Sequence, residues 1–459
     1  MFKPARDTQK DKVYEDDKEL GEIQGKRVYN PETGEWEVVQ EVTVKMDTVQ
    51  WVALPPNQFP PITSEGEFTD VPVNEGTGEV TPEGSEKKSF YNISYLLPFN
   101  TTFSNAGKID KRSKWAVNFY AGAKMALDQL GQEGISLQVD VMDTQGNPSR
   151  VKNLLATNEA LQASDVVIGP YRRNNVYETA RWALQEEKVM VSPFSASMGL
   201  TRNNPNYLQI NPSLKSHCQA IMQHVLDNYN AADVVMIARD IPEERERMSY
   251  FQEAKLAMSA DTTALAEVLI TEESADFNEI NIRPLINIGE QTVFIVPSYK
   301  SEPFVYSILR KLALAKKPND RIVVYGLPPW QNFTRIDFDY YENLNVHISS
   351  GGFVDNFNPE VRLFKRQYFE RFNAAPEDEA ILGYDVTLFT GRMLQKYGTK
   401  FQLYIEQEGN EPYLGASFLF ERVVNDGNAV DDRLDYFDQF ENKFVHILKF
   451  DNYYFQPAD

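Results

Sequence analysis

From about Ser89 onward, the sequence predicts an α/β protein of two Rossmann-like lobes with parallel sheets, joined by a hinge. Apolar strand segments alternate with amphipathic helix segments, a pattern that favours parallel sheets covered by helices on both faces. The alternation runs to about residue 207 and restarts near residue 213. The extended stretch at 206–212, between the two series, has the form of a crossover between lobes.

The first series of elements predicts lobe 1 at about residues 89–207. Its helix at 114–130 places Trp115, Phe119, Ala126 and Leu130 on one stripe, as an amphipathic helix requires. The sequence predicts strands at 91–97, 137–142, 165–168 and 189–192, and further helices at 150–161 and 174–186.

The second series predicts lobe 2 at about residues 213–324. It holds predicted strands at 233–238, 265–270, 291–296 and 321–324, and helices at 244–258 and 303–314. We expect a returning segment near 325–375 to complete lobe 1, and C-terminal segments to complete lobe 2.

Two zones precede the lobes. Residues 1–63 form an N-terminal extension with a predicted β-hairpin, in which 26–29 and 36–39 flank the turn residues 30–34. This small β segment buries little by itself, so we expect it to lie along another surface or a partner. Residues 64–88 are rich in Gly, Pro, Glu and Thr, which predicts an acidic flexible linker.

Charge and composition exclude several classes of partner. The chain has 67 acidic and 46 basic residues and a net charge of −21, which disfavours nucleic acid and charge-driven docking on anionic lipid. Cys218 is the one cysteine, so no intrachain disulfide forms. The N-terminal residues have no apolar signal core. The protein is therefore cytoplasmic, or its signal segment lies outside this chain.

The fold itself predicts where a ligand would bind. In open parallel sheets, ligands bind beyond the carboxyl ends of the strands, where helix N-termini also gather. The loop at 192–197 offers Ser195, Ala196 and Ser197, whose hydroxyl and backbone N–H groups suit a carboxylate, although a turn with ordinary serine caps has the same residues. Arg172 and Arg173 stand at a predicted helix start, where the helix dipole disfavours cations. They suit an anionic ligand or acidic partner, or lie solvated on the rim.

Short motifs follow one another along the two lobes: LLPF at 96–99, GAKMA at 122–126, VMDTQGNP at 141–148, VVIGP at 166–170, the stretch 191–201, NPNY at 204–207 and LGYD at 382–385. Their order resembles that of the branched-chain amino acid binding proteins, which belong to the type I periplasmic solute-binding family. The resemblance covers about Ser89 to Gln456, and residues 1–88 lie outside it.

The resemblance implies a type I periplasmic binding fold, a three-stranded hinge, a small ligand in the interlobe cleft and an extracytoplasmic location. It places Ser195, Ala196 and Ser197 where family members bind the ligand carboxylate. Together with the other strand-end loops, it leads to this set of candidate ligand-binding residues: Ser195, Ala196, Ser197, Arg172, Arg173, Tyr171, Asn100, Asp240 and Trp330.

Two departures from the family pattern affect the expected ligand. Arg172 and Arg173 occupy a loop that usually carries small or hydroxyl residues. Gly326 is followed by residues 327–330, Leu-Pro-Pro-Trp, without the acid that holds a ligand ammonium in the family. A buried ammonium without a carboxylate is costly. A zwitterionic amino acid is therefore not the expected ligand unless Asp240 or Glu302 replaces that acid.

Enzyme chemistry finds little support in the sequence. There is no P-loop, nucleophile elbow or G-x-G-x-x-G motif. His217 and His224 are seven residues apart, whereas metal pairs on a helix prefer spacings of three or four. We therefore predict a non-enzymatic protein without catalytic residues, metal or cofactor.

The sequence leaves two functional hypotheses open. In the first, an extracytoplasmic solute-binding protein captures a small ligand in its cleft, and an anion is one option for that ligand. In the second, the fold serves as an interaction or scaffold lipoprotein of the cell envelope, as in some regulators of peptidoglycan or outer-membrane complexes. The partner is then a small molecule or an envelope protein, the location periplasmic or outer-membrane-associated, and any lipid anchor lies outside this chain.

Overall fold

A computed structural model of the chain describes residues 26–30, 35–39, 84–103, 110–271, 280–410, 412–424 and 437–458. Most of the predicted linker therefore lies outside the described residues. The strands are β1 Lys26–Asn30, β2 Glu35–Val39, β3 Tyr91–Leu97, β4 Leu137–Asp143, β5 Val166–Ile168, β6 Val189–Ser192, β7 Tyr207–Gln209, β8 Val234–Arg239, β9 Ala266–Ile270, β10 Gln291–Ile295, β11 Arg321–Gly326, β12 Val346–Ser350, β13 Phe420–Val423, β14 Gln439–Asn442, β15 His446–Asp451 and β16 Tyr454–Pro457.

The helices agree with the periodicity of the sequence in most places. They are α1 Lys114–Gln132, α2 Pro148–Thr157, α3 Glu159–Ala163, α4 Arg173–Gln185, α5 Leu214–Asn228, α6 Pro242–Met258, α7 Glu302–Ala315, α8 Phe338–Asn343, α9 Pro359–Phe372 and α10 Asp378–Tyr397. None of these helices combines the length and the hydropathy that a bilayer crossing would need.

The strands form two separate sheets, one in each lobe. Lobe 1 has the order β13-β14-β7-β6-β5-β3-β4, in which only the β13–β14 pair is antiparallel. Lobe 2 has the order β16-β15-β12-β11-β10-β8-β9-β1-β2, with a parallel centre from β12 to β9. Helices and apolar clusters cover these sheets, as the continuous apolar strands require. The predicted fold class is confirmed.

Helix α1 packs closely against α10 on one face of lobe 1. Phe119, Ala126 and Leu130 of the predicted stripe are fully buried. A Cβ atom at Gly122 would lie 1.7 Å from the carbonyl oxygen of Ala380, and one at Gly383 would lie 2.0 Å from that of Phe119. Glycine at these two positions therefore lets the two backbones meet.

The predicted helix at 150–161 is interrupted at Asn158. This residue has extended dihedrals, with φ −89° and ψ 114°, so α2 ends there and α3 begins. Its side chain accepts a hydrogen bond from the backbone N–H of Leu161 at 3.0 Å. Asparagine is a favourable N-cap, and that local bond replaces the continuous helix that hydrophobic periodicity predicts.

The chain crosses between the lobes three times, at 210–213, 351–358 and 443–445, between elements that belong to different sheets. Glu441 lies near the end of β14, just before the third crossing, and its side chain contacts residues that follow the first crossing. Its carboxylate accepts hydrogen bonds from the backbone N–H of Ser213 at 2.8 Å and from the hydroxyl of Ser216 at 2.6 Å. A buried carboxylate from lobe 1 thus caps the first helix of lobe 2.

The chain returns to lobe 1 in the later part of the segment near 325–375 where this return was expected. Strand β12 pairs in parallel with β11, with Gly326 beside Ile348, so the chain stays in lobe 2 as far as Ser350. After the crossing, α9 and α10 pack beside α1, and β13 and β14 complete the lobe 1 sheet. Strands β15 and β16 then return to lobe 2. The sequence-based assignment did not include a strand at 346–350, so it placed the end of this part of lobe 2 at residue 324.

The predicted N-terminal hairpin is present as β1 and β2, paired antiparallel with Asn30 beside Glu35. Strand β1 also pairs in parallel with β9, where Val28 lies beside Leu269. The hairpin therefore extends the lobe 2 sheet at its β9 edge. The other residues of the N-terminal extension lie outside the described residues.

Candidate ligand cleft

A cavity of about 800 Å³ lies between the lobes, where the strand-end loops of the two sheets approach each other. Lobe 1 contributes Ala196 and Ser197 from the loop after β6. Lobe 2 contributes Tyr299 from the loop after β10, and Pro328 and Gln331 from the turn after β11. Parallel strands bring their carboxyl ends to one edge of a sheet, so loops that are distant in sequence meet here.

The loop after β6 supports the cleft with three residues in different roles. Ala196 and Ser197 line the cavity, whereas Ser195 is buried beneath them. The Ser195 hydroxyl accepts a hydrogen bond from the backbone N–H of Ser197 at 3.4 Å. Ser195 therefore shapes the loop, and Ser197 is the hydroxyl that a ligand in the cleft would meet.

The two arginines lie beside this loop at the start of α4. Arg173 donates a hydrogen bond from Nη1 to the Ser197 hydroxyl at 3.3 Å. Arg172 is the extended residue before the helix, and its guanidinium lies against Gly146. Both side chains are exposed, and within the described residues neither is paired with a carboxylate. The structure thus places an unpaired guanidinium in contact with a cleft-lining serine.

An aromatic cluster borders the same wall of the cleft. The ring centroids of Trp115 and Phe194 are 4.0 Å apart, those of Trp115 and Tyr171 are 4.9 Å apart, and those of Tyr171 and Phe194 are 5.6 Å apart. Phe194 lines the cavity, whereas Trp115 and Tyr171 lie behind it and outside the lining, and Tyr171 is 46% exposed. We call Trp115, Tyr171 and Phe194 the aromatic shelf. Of these rings, only Tyr171 was a predicted site residue.

Trp330 does not reach the cleft, although its loop does. Its side chain is fully buried in lobe 2, and its Nε1 donates to the carbonyl of Ser298 at 2.9 Å. A Cβ atom at Gly326 would lie 2.3 Å from the indole ring. The absence of a Cβ at Gly326 therefore leaves the space that this core tryptophan fills, and the Trp330 side chain does not line the cavity.

Asn100 and Asp240 also lie outside the cavity lining. Asn100 is buried, and its amide donates to the carbonyl of Pro98 at 3.0 Å and to the hydroxyl of Ser113 at 3.3 Å. Asp240 forms an ion pair with Arg245 at the start of α6. Both residues follow a strand end as predicted, but their side chains stabilise their own loops.

Asp143 holds the loops after β3 and β4 together. Its carboxylate accepts hydrogen bonds from the backbone N–H groups of Asn100, Thr101 and Gln145, and from the Thr101 hydroxyl. Partial burial would raise the pKa of this carboxyl, but these hydrogen bonds outweigh burial and hold it below its usual value. Asp143 is therefore ionised at neutral pH and acts within the loop.

Two buried titratable residues that sequence reasoning did not select as site residues line the cleft. Burial raises the pKa of Asp385 to about 7, although its carboxyl accepts three hydrogen bonds, from the backbone N–H groups of 414–416. Burial lowers the pKa of His217 to about 4, and its Nδ1 has no hydrogen-bond partner among the described residues. Both come from segments that only the hinge crossings bring to the cleft, although Asp385 lies within the LGYD motif.

The carboxylates that line the cleft come from lobe 1. Asp378 and Glu379, at the start of α10, line the cavity, as does Lys365 of α9. Neither Asp240 nor Glu302 replaces the acid that is missing after Gly326, because neither side chain lines the cavity. Glu302 instead accepts a hydrogen bond from the backbone N–H of Arg335 at 2.6 Å.

No group of three or more His, Cys, Asp or Glu side chains able to hold a metal occurs in the part of the chain that the structure describes. Cys218 is buried in α5, and burial raises the pKa of its thiol. A buried, protonated thiol is a poor nucleophile.

Two facing lobes, three crossings and a cleft at the strand ends define the two-lobed fold of the type I periplasmic binding proteins. No family model matches the sequence, and no curated protein matches it. The similarity is to solved structures and shows the fold.

Among these structures is a protein of Rhodospirillum rubrum assigned to branched-chain amino acid ABC transport, with a TM-score of 0.59 and 11% identity. The match covers 80% of this chain and 100% of that one. An ABC-type branched-chain amino acid transporter of Rhodopseudomonas palustris has a TM-score of 0.54 and 15% identity, with coverage of 80% and 96%. An ABC transporter substrate-binding protein of Desulfitobacterium hafniense, in complex with Leu, has a TM-score of 0.51 and 13% identity, with coverage of 80% and 99%.

Proposed function

We propose that this chain is a non-enzymatic solute-binding protein that captures a small ligand with an anionic group between its two lobes. Its place of action would be extracytoplasmic, in the periplasm or at the outer membrane. The observation that supports this proposal is the shared lining of one cavity by Ser197 of lobe 1 and by Tyr299 and Gln331 of lobe 2. A ligand that touches both walls stabilises the closed arrangement through a hinge motion.

The anionic part of the ligand is argued from lobe 1. Ser197 offers a hydroxyl in the cavity, and the Arg173 guanidinium, which has no carboxylate partner among the described residues, donates a hydrogen bond to it at 3.3 Å. A guanidinium can bind a carboxylate through two parallel hydrogen bonds. The two groups together form a carboxylate-binding pair in a chain whose net charge of −21 would otherwise repel anions.

A thermal-shift screen of amino acids, short peptides and small organic anions tests the proposal. A ligand at one hundred times its Kd stabilises the folded state by about 2.7 kcal/mol, which raises the melting temperature by a few degrees. The variant Ala196→Trp, which fills the cavity, should abolish that rise. Ala374→Trp alters an exposed residue in the loop between α9 and α10 and should leave the rise unchanged. A screen without any stabilising solute would contradict the proposal.

A second candidate is an interaction protein of the cell envelope, and two observations favour it. The hairpin β1–β2, which precedes both lobes in the sequence, extends the lobe 2 sheet at its edge. The rings of Phe357 and Tyr454 lie 6.4 Å apart on the surface, and Phe357 is 71% exposed; Tyr453, the preceding residue, is 61% exposed. Exposed aromatic groups of this kind are frequent in protein interfaces.

In-cell photo-crosslinking separates this candidate from the first. A photo-reactive residue in place of Tyr453 should produce one covalent adduct of defined mass. The same residue in place of Leu314, which is 75% exposed on α7, serves as the matched control. Equal or absent adducts at the two positions, together with a tight small-molecule complex, would rule the interaction role out.

A further inference from the structure

We infer that the apolar part of the ligand is a flat aromatic ring, so that the cleft selects aryl carboxylates over aliphatic ones. This inference rests on the proposed function, because it concerns the same cleft. It follows from the juxtaposition of the aromatic shelf with the guanidinium of Arg173 and the hydroxyl of Ser197.

The fold brings these groups to one place. Trp115 lies in the first turn of the helix that follows β3, Tyr171 follows β5, and Phe194 follows β6. These three strands are neighbours in the sheet, in the order β6-β5-β3. Their carboxyl ends therefore meet at the edge that faces the cleft, and the shelf adjoins the Ser197 loop.

The geometry of the shelf leaves one ring free to pack against a ligand. Trp115 meets Phe194 edge to face, with an interplanar angle of 88°, and it stacks on Phe119 at 5.3 Å below. Tyr171 covers the outer side of this pair and keeps 46% of its surface exposed. Aromatic rings favour offset-stacked or edge-to-face partners at 4.5–7 Å, so a ligand ring fits here better than a branched alkyl group.

The charge beside the shelf is positive. Arg172 and Arg173 stand at the N-terminus of α4, where the helix dipole opposes them, and neither has a carboxylate partner in the described parts of the chain. A ligand carboxylate there would pair with the guanidinium of Arg173 and with the helix N-terminus. The ring and the anionic group of one small molecule would then occupy adjacent parts of the same wall.

The opposite wall gives a ligand ammonium no counterpart. The turn after Gly326 presents Pro328 and Gln331 to the cavity, while Trp330 fills the space beneath them. The three backbone N–H groups of 414–416 already occupy the carboxyl of Asp385. Asp378 and Glu379 line the cavity from the start of α10 in lobe 1, where the neighbouring Glu377 pairs with Lys114, next to Trp115 of the shelf. Among the described residues that line the cavity, carboxylates able to hold a ligand ammonium therefore occur on the lobe 1 side.

Calorimetric titration of the full chain with matched solutes tests the inference. The probe is 3-phenylpropanoate, L-phenylalanine adds an ammonium group to it, and 4-methylpentanoate replaces the ring with a branched alkyl group. We expect 3-phenylpropanoate to bind about threefold to tenfold more tightly than 4-methylpentanoate, the range that ring–ring contacts contribute. We expect L-phenylalanine likewise to bind more tightly than L-leucine, because the shelf would contact the ring and not the ammonium group.

Variants of exposed residues locate the binding. Arg173→Gln should weaken 3-phenylpropanoate binding by about tenfold through loss of a charge-assisted contact. Tyr171→Leu should weaken it by about threefold and remove the preference for the ring over the branched alkyl group. Arg181→Gln changes an exposed arginine two turns further along α4 and should bind as the unmodified protein does. Circular dichroism checks that all three variants fold.

The outcomes separate this inference from the function on which it rests. Binding of L-leucine or 4-methylpentanoate without binding of 3-phenylpropanoate would overturn the aryl specificity and leave the solute-binding function intact. Binding of 3-phenylpropanoate with unchanged affinity in both Arg173→Gln and Tyr171→Leu would place the ring elsewhere and also overturn it. Failure of every solute in the broad screen would overturn the proposed function itself.

Discussion

Trp330 and Asp385 show how single residues decide what the cleft contains. The sequence places Trp330 in a strand-end loop, but Gly326 leaves room for the indole beneath that loop, so the ring joins the core. Asp385 lies inside a helix and is fully buried, yet it is part of the cavity lining. Its carboxyl accepts hydrogen bonds from the backbone of 414–416 and so holds that loop in place. Local sequence indicates the loop, whereas packing decides which side chain is displayed.

Asp385→Ala should destabilise the protein strongly, because it leaves three backbone N–H groups, of which that of Ala416 is buried, without their acceptor. Each unpaired group costs about 1–3 kcal/mol, so a loss of about 3 kcal/mol or more is expected in urea unfolding. Asp385→Asn keeps one oxygen for the two N–H groups, of Gly415 and Ala416, that share Oδ2, and should lose less. Equal stability of the alanine variant and the unmodified protein would show that this carboxyl does not organise the loop.

At the scale of elements, the packing of α1 on α10 depends on close approach of two backbones, and the hinge depends on one buried carboxylate. The α1–α10 contact brings the two helices together through Gly122 and Gly383. The crossing strands are tied by Glu441, which accepts hydrogen bonds from two serines of lobe 2 and pairs with Lys443 at 3.1 Å. Neither device follows from hydrophobic periodicity, because each joins segments that are far apart in sequence.

Gly383→Ala should lower the free energy of unfolding by about 1–3 kcal/mol, because the added methyl group forces α1 and α10 apart. Gly131→Ala is the matched control, since nothing lies within 4 Å of a Cβ at that helical position. The control should be neutral or stabilising by up to about 1 kcal/mol, the helix propensity difference between the residues. Urea unfolding of both variants measures the contrast, and equal effects would contradict the interpretation of the helix contact.

Glu441→Ala should destabilise the hinge by about 1–3 kcal/mol, since it leaves Ser213 N–H without its acceptor and Lys443 without its partner. Glu441→Gln keeps an acceptor and should recover part of this loss. Glu421→Ala removes an exposed acid directly across the β13–β14 pair and should change stability little. If Glu421→Ala costs as much as Glu441→Ala, general charge and not the hinge contact is responsible.

At the scale of the whole molecule, all four histidines are held in surroundings that favour the neutral ring. Burial lowers the pKa of His217 and His347 to about 4 and also lowers the pKa of His224 and His446. His347 stacks on Tyr325 and lies beside His224, with Lys449 opposite on β15. The unfolded chain protonates these rings near pH 6.5, before the folded protein does.

The histidines should therefore make the protein less stable as pH falls from about 6.5 to about 4, and their contribution is fully present above that window. A shift of this size at one buried histidine corresponds to about 3 kcal/mol. Asp385 acts in the opposite direction, because its raised pKa favours folding as pH falls from about 7. Comparison with His347→Gln cancels that opposing effect, and the variant should show a shallower decline. Parallel pH profiles would contradict the assignment.

Much of the architecture was predictable from residue patterns, whereas the site was predictable only in part. Periodicity located most strands and helices, and the crossover at 206–212 agrees with β7 and the first crossing. Of the residues proposed for the cleft, the structure places Ala196 and Ser197 in its lining and Arg173 against Ser197. Asp385 and His217 went unselected, because their positions depend on chain crossings that no local pattern encodes.

The sequence by itself determined the two α/β lobes, the N-terminal hairpin and the loops that meet at the cleft, because strand and helix periods are local properties of the chain. Only the tertiary structure decided that the return to lobe 1 follows Ser350, that Trp330 is buried and that an aromatic shelf lies beside Arg173. Those features depend on which distant surfaces pack together, and packing depends on shape and volume across the whole chain.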